Sequence, residues 1–175
     1  MIEVILTTGE RMTAALAGGM RQMCNTVARR PDAHGHQGDG YLTHVQGIQA
    51  EIAVARATNI YFDPFAIQRP DRGLDVGDLH VRSTARENGC LILHDSDPEG
   101  RYVLVTVAAP RCLIIGYFDK PAEMDRRYWR DDPGVRNPAH FISQHALKDP
   151  KGMRFDLTPA ESRRLDDLFS DGVPF

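Results

Sequence analysis

Between residues 12 and 27 the apolar side chains Ala15, Leu16, Met20, Met23, Cys24 and Val27 recur at the spacing of a helix with one apolar face. Thr7-Thr8-Gly9-Glu10 supplies its entrance, a threonine cap with an acid in the first turn. Arg29, Arg30 and Pro31 end it, and His34-Gly35-His36-Gln37-Gly38-Asp39-Gly40 reads as a glycine-rich loop. A second helix is predicted over 45–58, with Val45, Ile48, Ile52 and Ala55 as its stripe and Asn59 as its C-terminal cap. Pro64 and Pro70 interrupt 61–73, which reads as a connection. The period then changes. Segments 79–84, 90–94, 102–107 and 112–118 are short, apolar or alternating, and predict strands; Asn88-Gly89 has hairpin composition. A short helix is predicted from Pro121 through Tyr128-Trp129, and an extended piece over 140–143. A last helix over about 158–170 opens on Thr158-Pro159-Ala160-Glu161 and docks through Leu165, Leu168 and Phe169. This order predicts one α+β domain over 1–175, a central mixed β-sheet flanked by helices, with N-terminal helices in 8–59 and a sheet core in about 74–147.

The 175 residues are enough to bury a core, and 42% hydrophobic residues argue against global disorder. A formal net charge of −3 gives no electrostatic reason to expect nucleic acid, although a balanced total can hide a basic face. Cys24, Cys90 and Cys112 form no CxxC pair, which speaks against a zinc ribbon and for reduced thiols. No apolar run approaches the roughly 20 residues of a membrane span. Met1-Ile2-Glu3-Val4 lacks the basic start and apolar middle of a signal peptide. The expected compartment is the cytoplasm of the host cell.

The chemistry concentrates in Leu74-Asp75-Val76-Gly77-Asp78-Leu79-His80-Val81-Arg82. Period-two alternation puts His80 and Arg82 on one side of a strand. With Val76-Gly77 as a turn, Asp75 and Asp78 face each other across it. Both aspartates have an ordinary explanation as turn residues, and a functional one as ligands of a hard divalent cation. Arg82 is either a surface or salt-bridge charge or a phosphate contact; His80 is a ligand, a base or an ordinary strand residue. Glu51 stands amid Gly47, Ala50, Ala53 and Ala55, small residues that let its helix lie close on a sheet and aim the carboxylate toward Asp75. His34, His36, His94, His140 and His145 are too scattered for a zinc site, and Asp95, Asp97 and Glu99 lack the pattern of a calcium loop.

Several segments follow one another in a telling order: Gly47-x-x-Ala50-Glu51-Ile52-Ala53-Val54-Ala55, Asp75-Val76-Gly77, Val81-Arg82-Ser83-Thr84 and Leu91-Ile92-Leu93-His94-Asp95-x-Asp97. Tyr102-Val103-Leu104-Val105, Ile115-Gly116-Tyr117, Tyr128-Trp129 and His140-Phe141-Ile142-x-Gln144-x-Ala146-Leu147 continue it. The chain resembles a group of uncharacterised phage and prophage proteins that in turn resemble the PD-(D/E)XK nuclease superfamily. The resemblance implies a restriction-endonuclease-like core, Glu51 as the helix glutamate and Asp75 as the motif aspartate. His80-Val81-Arg82 falls where the superfamily has (D/E)-x-K. Imidazole replaces a carboxylate, and arginine, which cannot act as a base, replaces lysine. The implied function is a metal-dependent DNA nuclease or nuclease-like DNA-processing protein. Glu51, Asp75 and His80 would hold Mg²⁺ or Mn²⁺, and Arg82 would meet the phosphate. The alternative is a non-catalytic phage binding or assembly module on the same scaffold, with a phage protein as partner.

Overall fold

The computed structural model describes residues 1–27, 39–66, 74–132 and 137–153. The glycine-rich loop with His34 and His36, and the helix expected over 158–170, lie outside them. Strand β1 (Ile2–Ile5) precedes helices α1 (Thr8–Val27) and α2 (Gly40–Thr58). Strands β2 (Leu79–Thr84), β3 (Leu91–Leu93), β4 (Gly100–Ala108), β5 (Arg111–Lys120), β6 (Trp129–Arg130) and β7 (Ala139–Ile142) follow.

The helix ends follow their local chemistry. The Glu10 N–H donates to Thr7 Oγ1 at 3.2 Å while the Thr7 N–H donates to Glu10 Oε2 at 2.7 Å, a reciprocal capping box. Asp39 caps α2 by accepting from the Tyr41 and Leu42 N–H groups, so this helix begins five residues before the predicted 45. Asn59 closes it in the left-handed conformation, as the sequence predicts. Residues 48–55 of α2 are all buried, because one side of the helix meets the sheet and the other meets α1. Between the two helices, a Cβ on Gly18 would lie 2.7 Å from Val45 Cγ2, so only glycine permits this approach.

The main sheet has the order β1-β5-β4-β2, antiparallel except for the parallel β4–β2 pair. It is mixed, as expected. One face carries Leu79, Val81, Val103, Val105, Cys112 and Ile114 toward the helices. The other is not flanked by an α-helix among the described residues: a second sheet, β3-β7-β6, covers it around Leu91, Leu93, Tyr102, Leu104 and Ile142. The nearly continuous apolar run of β4 reflects this burial on both faces.

Several local expectations change. Strand β1 was not predicted, although Ile2, Val4 and Leu6 alternate with Glu3 and Ile5. Asn88-Gly89 lies in a turn, with the Gly89 N–H bonded to Arg86 O at 3.0 Å, but the flanking β2 and β3 enter different sheets and form no hairpin. The helix expected through Tyr128-Trp129 reduces to one 3₁₀ turn, Arg126–Tyr128, capped by Asp125 and running into β6.

Candidate functional site

Strand β2 is an edge strand, and the sequence before it folds back along its free side. The tip is Gly77-Asp78, bracketed by Val76 and Leu79, rather than Val76-Gly77. Gly77 adopts φ 58°, a conformation that favours glycine. The shift of one residue matters: Asp75 comes opposite His80, and Asp78 sits in solvent at the tip, where its turn-forming role is sufficient.

Asp75 is tied to the strand edge, its Oδ2 accepting the Val81 N–H at 2.7 Å. Burial pushes its carboxyl above the ordinary range. That bond opposes the shift, as do the charges of Arg82, His80 and Arg21. The sign gives a prediction. A raised carboxyl favours folding when protonated, and that contribution fades as pH climbs from the unfolded value of 3.8 through the folded one. An Asp75→Asn chain, which keeps an acceptor for Val81, should therefore gain stability relative to the native chain as pH rises above the unfolded value of 3.8. Urea midpoints measured as pH rises check it, and a widening deficit in the variant would contradict the assignment.

Glu51, expected to aim at Asp75, is buried, with 4% of its surface exposed. It meets a residue that the sequence reading missed. Arg21 of α1 donates Nη1 and Nη2 to Glu51 Oε1 and Oε2, each at 2.8 Å. Thirty positions separate the two, so no local spacing signals the pair. The Arg21 charge also acts on Asp75, which links both predicted carboxylates through one guanidinium.

His80 and Arg82 share a strand face, as alternation requires. His80 is buried and stacks on Tyr102, ring centroids 4.4 Å apart, while Arg82 lies over the same ring at 5.1 Å. Arg82 reaches Asp97 at 3.3 Å and Asp75 at 4.0 Å. Asp97, from the acidic turn, also accepts the His94 N–H at 2.9 Å. The result is a series of alternating charge, from Glu51 and Arg21 between the helices to Asp75, Arg82 and Asp97 at the open edge of the sheet.

This donor set does not fit a divalent cation as arranged. Both Glu51 oxygens bond to Arg21, Asp75 Oδ2 bonds to backbone, and His80 is packed flat on an aromatic ring. Among the described residues no three His, Cys, Asp or Glu side chains are placed to hold a metal ion.

Beside this series lies a groove of about 630 Å³ between the start of α2 and the ends of β2 and β3. Arg82, Arg86, His94, Thr43 and Gln46 are among its lining residues. Gln46 is one of these, but its Nε2 is itself buried and has no hydrogen-bond partner among the described residues. Arg86 is exposed and forms no ion pair among those residues. Neither was singled out from sequence; Gln46 lies on α2 and Arg86 beyond β2, with no motif connecting them.

No family model, curated protein or solved structure matches this chain. No helix among the described residues is long and apolar enough to cross a membrane.

Proposed function

We propose that this protein is a nuclease-like DNA-processing protein of phage or prophage type, acting as a DNA-binding module on a restriction-endonuclease-like core. The observation that carries the reading is the groove: two guanidiniums, Arg82 and Arg86, stand with the Thr43, Ser83 and Thr84 hydroxyls along its walls, and its one carboxylate among the described residues, Asp39, is engaged in capping α2. Guanidiniums and neutral donors in one groove suit a phosphodiester backbone. The order of Glu51, Asp75 and His80-Val81-Arg82, drawn from the resemblance, supports the same class. The self-neutralised carboxylates favour binding over metal-dependent hydrolysis, with Arg82 serving as a phosphate contact.

A metal-dependent nuclease is the second reading, carried only by the resemblance, since Arg21 holds both Glu51 oxygens. One assay separates the two. Linear, circular and single-stranded DNA are incubated with the protein at low salt in EDTA, Mg²⁺ or Mn²⁺, then resolved before and after removal of protein. The proposal expects retarded but uncut DNA in every buffer. Cleavage in Mn²⁺ that Asp75→Ala abolishes would move the assignment to the nuclease. Failure to retard any form of DNA would end the nucleic-acid reading.

A further inference from the structure

The packing of α1 is inverted. Toward α2 and the core it presents its small residues, Ala14, Ala17 and Gly18, all buried. Its large apolar residues face away: Met12 is 62% exposed, Leu16 63%, Met20 39%, Met23 61% and Val27 79%. The other exposed positions from 11 to 27 are Cys24 and Thr26, so this face carries no charge. The five large residues are spaced by four, four, three and four positions, which keeps them on one stripe of a helix with about 3.6 residues per turn.

We propose that this face is the interface of a homodimer in which two α1 helices pair antiparallel about a two-fold axis near Met20. In that register Leu16 of one copy meets Met23 of the other, and Met12 meets Val27, so the stripe complements itself end to end. A self-pairing surface brings any charge near its axis against its own copy, and this stripe has none. The five side chains expose roughly 500 Å² of apolar surface, as much as the largest patch on a typical monomer. Two copies would bury about 1,000 Å², the size of a weak, reversible interface.

The chain's own C-terminal segment is a poorer occupant. Its apolar positions, from Phe155 to Phe175, are interspersed with eight charged residues over 154–175, whereas the stripe carries none.

Sedimentation equilibrium of the full chain from about 1 to 100 μM tests the proposal. The native chain should be dimeric at the upper end. Leu16→Glu/Met23→Glu places acids opposite acids and should be monomeric throughout, with unchanged circular dichroism. Leu16→Glu/Met23→Lys places opposite charges together in the antiparallel register and should regain the dimer. A native chain that stays monomeric at 100 μM would overturn the proposal, and so would an undiminished dimer in the double-acid variant. A native monomer that dimerises only after Leu165→Glu/Leu168→Glu would overturn it in favour of the C-terminal segment.

Discussion

Glu51→Ala is expected to lower stability by about 3 kcal/mol or more, a large share of what a domain of this size possesses. The loss comes from the partner left behind. Arg21 is itself mostly buried, with 22% of its side chain exposed, and both of its outer nitrogens bond to Glu51. Without the carboxylate, a guanidinium stays between two packed helices with its charge uncompensated. A pair of apolar replacements, Arg21→Met with Glu51→Leu, removes both charges and should recover most of the loss, because a buried ion pair adds little beyond a well-packed apolar pair. Urea denaturation of the three chains checks this. The opposite result, a Glu51→Ala chain as stable as the native one, would mean that Glu51 is held as a spare ligand and would favour the metal-dependent reading.

Much of the fold was legible because its signals are local. Thr7 with Glu10, and Asn59 after α2, are capping chemistry that acts within a few residues. Strands β2, β4 and β5 were visible as apolar runs, although β4 and β5 extend further than predicted. Assignment to sheets was not visible: β2 and β3 are neighbours in sequence yet join different sheets, a decision made by long-range packing on Tyr102 and Leu104. The candidate site divides in the same way. Alternation placed His80 and Arg82 on one face, and the small residues around Glu51 signalled an inward-facing carboxylate. The partners that define their chemistry lie elsewhere in the chain. Arg21, Asp97 and Tyr102 come from α1, a turn and β4, and no spacing rule joins them to Glu51 or Arg82.

The central claim is that the groove beside β2 grips phosphates directly, and the salt dependence of DNA binding tests it most directly. A fluorescently labelled duplex is titrated in EDTA at several salt concentrations between about 50 and 200 mM, a range over which phosphate contacts weaken steeply. Each lost phosphate contact should flatten the plot of log affinity against log salt by about one unit. Arg82→Ala/Arg86→Ala should therefore flatten it by about two units and weaken low-salt binding roughly 100-fold, since each charge-assisted bond contributes about 1.5 kcal/mol or more. Arg111→Ala is the control, a charge paired with Glu3 at the β1–β5 side of the main sheet. The account predicts a flattened slope for the double variant and a native slope for the control; equal slopes and affinities in all three chains would contradict it.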